Sequence, residues 1–367
     1  MAKWETDILV VGAGPAGSIA AREAAAGGAK VVLIERKSTV GIPVQCAEYV
    51  PASVREFTGA HMGSVVQRVK GIRTFIQQSE AAYTKAPGYI LERSVFDRNL
   101  AWEARDQGAT LLLSTVLLEK SPHGEVLYHQ GKKQEIVPKV IIGGDGPRSL
   151  IAGRINNSGP VLAVAAQYTL ELTAELEDVE IYLDFAFPGG YAWLFPKGQF
   201  CNLGVAVDRR FGAKVLPALH NFLEFILKAG KLRSAQPVKK TGGVLPISGP
   251  LPNTQKENIL LVGDAGGFTH PITGGGILHA LITGQLAGKI AAQALKADDL
   301  TLLEQYEANW QAILGPTLGR GNTNRGYLTR QWQALGQKDF GLLARRTWIA
   351  FPEYFRHFDG TCNGGEG

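Results

Sequence analysis

The chain has 367 residues, 45% hydrophobic and 19% charged, with a formal net charge of +5 at pH 7; this fits two domains with a large core, and the dispersed Lys and Arg give a mildly basic surface, with no nucleic acid expected as partner. Its three scattered cysteines, Cys46, Cys201 and Cys362, exclude a disulfide framework and, without a CxxC pair, a zinc or iron–sulfur site. A cytoplasmic protein is expected, since Met1 leads directly into a strand-like run and no stretch reaches the roughly eighteen apolar residues of a membrane span.

Residues 7–11 are an apolar, β-branched run, followed by Gly12-Ala13-Gly14-Pro15-Ala16-Gly17. An Ala-rich helix is predicted over 18–26 and a second strand over 30–34, ending in Glu35. A strand, a glycine turn, a helix and a strand with an acid at its end form a dinucleotide fingerprint. Gly12 permits the turn, Gly14 lets a diphosphate reach the backbone, and Gly17 lets helix and sheet pack closely. Pro15 and Ala16 in the turn join the predicted cofactor contacts, and the N–H groups and positive dipole end of the helix that follows suit phosphate. Glu35 is placed to accept hydrogen bonds from ribose hydroxyls, and Arg36 beside it joins the predicted cofactor set.

Two later segments share this character. A strand at 140–142 runs into Gly143-Gly144-Asp145-Gly146, and a strand at 259–262 runs into Gly263-Asp264. The latter continues through His270-Pro271-Ile272-Thr273-Gly274-Gly275-Gly276-Ile277 into an Ala-rich helix over 278–295. Asp145, Gly146 and Asp264 are predicted cofactor contacts, an aspartate at a strand end being able to hold a ribityl hydroxyl. Pro271, Gly274, Gly275, Gly276 and Ile277 offer backbone N–H groups to a ring and its phosphate. A nicotinamide dehydrogenase has no use for this third segment, so the cofactor predicted is FAD. Alternation over 167–172, 180–184 and 201–207 predicts an antiparallel sheet covering the flavin, and residues 301–367 are predicted mostly helical.

The combination of Gly12-x-Gly14-x-x-Gly17, Gly144-Asp145-Gly146 and Gly263-Asp264 resembles the p-hydroxybenzoate hydroxylase-like flavoproteins. Tyr89-Ile90-Leu91-Glu92-Arg93 resembles their arginine segment, which makes Arg93 a cofactor contact. Within that superfamily, Pro43-Val44-Gln45-Cys46-Ala47-Glu48 is similar to the Pro-x-x-Cys-Gly-Glu segment of the geranylgeranyl reductases, with Ala47 in place of glycine. Tyr191-Ala192-Trp193-Leu194-Phe195-Pro196 matches their Tyr-x-Trp-x-Phe-Pro motif in full. The resemblance implies an FAD-dependent reductase of carbon–carbon double bonds in a prenyl chain, with NAD(P)H or ferredoxin as electron donor. It also implies that Cys46 and Ala47 lie at the cofactor.

The expected fold is α/β with antiparallel β. A Rossmann-type FAD domain is drawn from 1–60, 87–157 and 253–300, a β-sheet substrate domain from 61–86 and 158–252, and a helical C-terminal region from 301–367. Tyr191, Trp193 and Phe195 alternate onto one strand face and, with Pro196, are assigned to the substrate wall; the competing reading is an aromatic core stripe. Cys46 is either an active-site thiol or a small buried hydrophobe. Glu48 is either an acid in the cavity or a surface carboxylate, and both are carried as catalytic candidates. Cys201 is read as core, and His270 as support for the cofactor. The aromatic run 348–358 suits peripheral membrane contact or docking on the core. A flavin monooxygenase and a non-catalytic flavin- or lipid-binding protein are the rival functions.

Overall fold

The computed structural model describes residues 3–58, 62–121, 124–332, 334 and 339–356; Cys362 and Phe358 lie outside them. Strands Ile259–Leu261, Lys132–Gly143, Lys3–Val11, Val31–Ile34 and Thr110–Leu112 pair in that order and in parallel, with Gln255–Lys256 added antiparallel at one edge. The period of two sorts their side chains into two cores. Ile8, Val10, Leu33, Val140 and Ile142 point to one face, under helices Pro15–Ala26 and Ile277–Lys296. Leu9, Val11, Ile34 and Ile141 point to the other. There the hairpin Thr115–Ser121 and Gly124–His129, leading into Lys132–Gly143, supplies Leu117, Leu127 and Ile136. Burial on both faces explains why these strands read as continuous apolar runs.

A second sheet runs in the order Lys239–Pro246, Leu162–Glu171, Phe200–Asp208, Tyr191–Lys197, Val179–Leu183, Ile72–Ile76, Ser79–Thr84. Its neighbours are antiparallel except Val179–Leu183 against Ile72–Ile76. Helix Val215–Lys228 covers one face through Leu219, Phe222, Leu223 and Ile226. Cys201 is buried in that same core, and burial pushes its thiol up to about 12. The other face carries Tyr191, Trp193 and Phe195.

Two boundaries drawn from sequence fall differently. Residues 61–86 do not act as one piece: Val65–Val69 pairs with Gly88–Leu91, which also takes Tyr49–Pro51, in a small third sheet. The C-terminal region packs on both of the larger cores. Helix Gln305–Trp332 sends Tyr306, Trp310, Leu314 and Leu318 into the nucleotide-domain core and Leu328 and Trp332 into the core beneath the aromatic face. Full burial of a large apolar side chain is worth roughly 1.5–3 kcal/mol. The first four therefore outweigh the roughly 3 kcal/mol that the internal Pro316 costs a helix. Of the aromatic run beyond it, Trp348, Phe351 and Tyr354 are buried on the same core, which leaves Ile349 and Phe355 exposed.

Candidate active site

The first glycine turn is shaped by contact on two sides and by openness on the third. Gly12 has φ +98, and a Cβ there would lie 2.4 Å from the Gly144 carbonyl oxygen. A Cβ on Gly17 would lie 2.0 Å from the Gly12 oxygen. Around Gly14, by contrast, a Cβ would meet nothing within 4 Å. Gly14 also caps helix Pro15–Ala26 without any side-chain hydrogen bond, so the first helical N–H groups face a surface on which a phosphate fits. Glu35 is fixed at the adjoining strand end, its Oε2 accepting from Ala13 N–H at 3.0 Å and its Oε1 from Lys37 N–H at 3.0 Å. Arg36 next to it is exposed. Asp145 accepts from Ser149 Oγ at 2.5 Å and from Leu150 N–H at 2.7 Å. Its carboxylate thus closes its own turn, while Gly146, with φ +84, stands open.

A second helix start is brought alongside by two residues that the reading of motifs passed over. A Cβ on Gly284 would lie 2.2 Å from the Ala16 oxygen, and one on Gly288 2.3 Å from the Ala20 oxygen. The two helices therefore run together in the same direction, backbone against backbone. Helix Ile277–Lys296 begins seven residues before Gly284, so its N-terminus lies roughly 10 Å beyond that of its neighbour. A long, anionic molecule such as a dinucleotide can touch both ends at once. The N-cap Gly276 again makes no side-chain bond.

His270 organises the loop leading to that N-cap. Its Nδ1 accepts from the N–H groups of Ile272 and Thr273, each at 3.2 Å, and its backbone N–H donates to Gly275 O at 2.9 Å. Burial, then the neighbouring His279, pushes its pKa down to about 4, so the imidazole stays a neutral acceptor. Pro271 is buried beside it, and Gly274 adopts φ +66. Asp264 accepts from Thr269 Oγ1 at 2.5 Å. Burial raises its pKa, against the opposing pull of that hydrogen bond and of Arg93.

The segment holding Cys46 is stitched to the second sheet. Thr241 Oγ1 donates to Val44 O at 2.8 Å, Gln167 Nε2 to Cys46 O at 3.2 Å, and Asn202 Nδ2 to Ala47 O at 3.2 Å. Glu48, only 3% exposed and at φ +74, is a buried carboxylate that lines the cavity and not a surface one. It accepts from Lys197 Nζ at 2.5 Å, Asn202 Nδ2 at 2.8 Å and Arg93 N–H at 3.0 Å. A left-handed non-glycine residue costs about 1–3 kcal/mol, a strain that this set of contacts, with Lys197 the charged one, holds in place. The Glu48 N–H in turn donates to Cys46 Sγ at 3.2 Å. Arg93 grips Asp97 with both arms, at 2.8 and 2.9 Å. Burial weakens its charge, but Asp97 and Cys46 outweigh that and raise its pKa. The thiol thus sits between a fixed cation and a fixed N–H.

Tyr191, Trp193 and Phe195 form a wall beside it, with successive ring centroids 5.9 and 6.4 Å apart. A Cβ on Gly204 would lie 2.2 Å from the Trp193 ring, so that glycine lets the indole lie flat across the sheet. Trp193 Nε1 donates to Gln167 Oε1 at 3.0 Å, the same Gln167 that holds Cys46. Tyr191 Oη donates to Thr273 O, joining the wall to the glycine loop. Pro196 is not part of this wall: alternation places it with Ala192 and Leu194, opposite Cys201 on the helix-covered face. A cavity of about 350 Å³ lies on the aromatic side, bounded by Val44, Gln167, Asn202 and Thr241.

The cradle and the paired helix starts fit FAD. Residues 7–142 match the family model of FAD dependent oxidoreductases, and residues 162–245 that of the geranylgeranyl reductase catalytic domain. The chain is 36% identical over 347 residues to digeranylgeranylglycerophospholipid reductase 2 of Methanosphaera stadtmanae, with 88% of each chain covered. It is 36% identical over 324 residues to the digeranylgeranylglycerophospholipid reductase of Methanocaldococcus jannaschii, covering 83% of this chain and 82% of that one. The crystal structure of a geranylgeranyl bacteriochlorophyll reductase-like protein from Thermoplasma acidophilum matches with a TM-score of 0.83 at 25% identity, over 95% of this chain and 93% of that one. With the glycine cradle, the Cys46 segment and the aromatic strand in one fold, the chain belongs to the geranylgeranyl reductase family of FAD-dependent oxidoreductases.

Proposed function

We propose that the protein saturates carbon–carbon double bonds in the prenyl chains of a lipid of the digeranylgeranylglycerophospholipid class. The observation that carries this reading is the apolar wall of Tyr191, Trp193 and Phe195 set against the thiol of Cys46. When bound and reduced, FAD supplies hydride to one alkene carbon. The wall orients an apolar chain and keeps water away. Cys46 Sγ, held by the Glu48 N–H and beside Arg93, is positioned to deliver a proton to the other carbon. Glu48 acts through that loop as a positioning residue. Glu35 and the open backbone at Gly14 and Gly146 hold the nucleotide, and the loop from Pro271 to Ile277, with Asp264 and Arg93, holds the ring end.

The electron donor in this reading docks transiently, as NAD(P)H or a ferredoxin, because the sequence has one GxGxxG turn and FAD takes it. No helix among the described residues is long and apolar enough to cross a membrane, and contact with the lipid phase is proposed to be peripheral.

The test is anaerobic. The purified protein is reduced with dithionite, its visible spectrum recorded, and a geranylgeranyl glycerophospholipid added with mass detection. Products carrying one added H₂ per double bond are expected. Bound flavin with no mass gain under these conditions, and an oxygenated product once air is admitted, would replace the reductase by a monooxygenase.

A further inference from the structure

The cavity beside Cys46 carries exposed apolar side chains among polar ones such as Glu92, Lys197 and Lys239. Val66, Phe200 and Val238 line that cavity and are 44%, 37% and 66% exposed. Strand Val65–Val69 carries this surface onward. Val66 and Arg68 are both exposed with Gln67 tucked between them, a spacing of roughly 7 Å along a strand. Arg68, with Lys70, Lys85 and Tyr83, borders a second hollow of about 400 Å³, and Tyr83 is 51% exposed. The mouth and the hollow therefore belong to one side of the molecule.

The acidic side chains there, Glu48 and Glu92 at the cavity and Glu177 beside the hollow, are paired with Lys197 and Lys70, so the charges left unmatched are basic. Lys70 pairs with Glu177 at 2.6 Å, whereas Arg68, Lys85 and Lys239 at the mouth take part in no ion pair among the described residues. Basic residues alone would be ordinary protection of sheet edges. The apolar mouth set between them is not explained that way. An exposed aromatic and aliphatic cluster flanked by cations is the arrangement that rests on an anionic lipid surface, the apolar groups among the headgroups and the cations at the phosphates.

We propose that this surface docks the protein on an anionic bilayer. Val66, Phe200 and Val238 enter the headgroup layer, and Arg68, Lys85 and Lys239 meet lipid phosphates. The cavity then opens directly onto the membrane, and an isoprenoid chain reaches the Cys46 segment without crossing water. The passage of the chain rests on the prenyl-lipid reading above; the docking does not.

Vesicles of phosphatidylglycerol with phosphatidylcholine, and vesicles of phosphatidylcholine alone, are floated with the FAD-loaded protein at low and high salt. Binding is expected to the anionic vesicles and to weaken with salt. Each basic side chain near such a surface contributes about fivefold to partitioning, so Arg68→Gln with Lys85→Gln is expected to weaken binding roughly thirtyfold. Thermal unfolding confirms that the double variant is folded. Its turnover is expected to fall on vesicle-embedded prenyl lipid and to stay unchanged on the same lipid dispersed in detergent. Val238→Asp, read by flotation alone, is expected to reduce binding as well. Wild-type protein remaining in solution with the anionic vesicles would overturn the proposal. So would binding that survives all three changes, or that is lost instead with Ile349→Asp and Phe355→Asp on the C-terminal segment. Vesicle binding that follows the expected pattern without reduction of any prenyl lipid would support the docking and refute the substrate reading.

Discussion

Alanine at Gly14 and alanine at Gly284 should fail in opposite ways. Gly14 has φ −74, where any residue is at ease, and a Cβ there meets nothing within 4 Å. The cofactor-free fold should therefore tolerate G14A with a change in stability of about 0.5 kcal/mol or less. The added methyl stands where the diphosphate must touch backbone. Forcing a methyl into a close-packed contact costs about 1–3 kcal/mol, which is about 5- to 150-fold in Kd for FAD. At Gly284 the new Cβ would lie 2.2 Å from the Ala16 oxygen, well inside the 3.4 Å at which ordinary contact begins. The helices must part by roughly 1 Å, an overpacking of about 1–3 kcal/mol. At about 2–4 °C per kcal/mol for large domains, Tm should fall by roughly 2–12 °C even without cofactor. Thermal unfolding after removal of FAD, and titration with FAD followed by quenching of flavin fluorescence, separate the two effects. G14A protein that binds FAD like the wild type would show that the diphosphate does not lie on this turn. G284A protein with an unchanged Tm would show that the helices are not held by that contact.

Three further outcomes are expected. Lys197→Met leaves the buried Glu48 carboxylate without its cation and should lower stability by about 3–5 kcal/mol, and adding Glu48→Gln should restore at least half of it; a neutral Lys197→Met in urea unfolding would refute the pairing. His270 is held neutral with a pKa of about 4, below its ordinary 6.5. Its contribution is therefore fully present above pH 6.5 and is lost as pH falls from 6.5 toward 4, by up to about 1.4 kcal/mol per unit. The stability difference between wild type and His270→Asn should then shrink between pH 7 and pH 5, and a constant difference would remove His270 as the cause. Cys46→Ser should keep its flavin spectrum and lose about 10²- to 10⁴-fold in turnover; undiminished turnover would take the thiol out of the mechanism.

What was legible in the sequence is what the chain writes locally. The turn from Gly12 to Gly17 and the loop from Pro271 to Ile277 are continuous segments whose geometry follows from glycine and a helix start. The aromatic wall follows from a period of two, which also shows why Pro196 lies off it. Alternation marks a strand but does not name its partner, so the pairing of Val65–Val69 with Gly88–Leu91 had no signal in the sequence. Helix Val215–Lys228 was readable from Leu219, Phe222, Leu223 and Ile226 at helical spacing, and Gly284 and Gly288 from their four-residue interval in an Ala-rich helix.

The residues that hold Cys46 had no such signal. Gln167 stands 121 positions away from it, and Lys197 and Asn202 stand 149 and 154 positions from Glu48. Each is an unremarkable polar residue on a strand until the second sheet folds over the loop. Donors reaching across these distances hold the Glu48 carboxylate in place at the edge of the cavity. It follows that the position of the Cys46 sulfur is a property of the interface between the sheets. A change at Lys197 or Asn202 should therefore disturb turnover more than flavin binding, since the nucleotide cradle is built from other elements. Equal losses of FAD and of turnover in Asn202→Ala would show instead that the loop and the cradle fold as one unit.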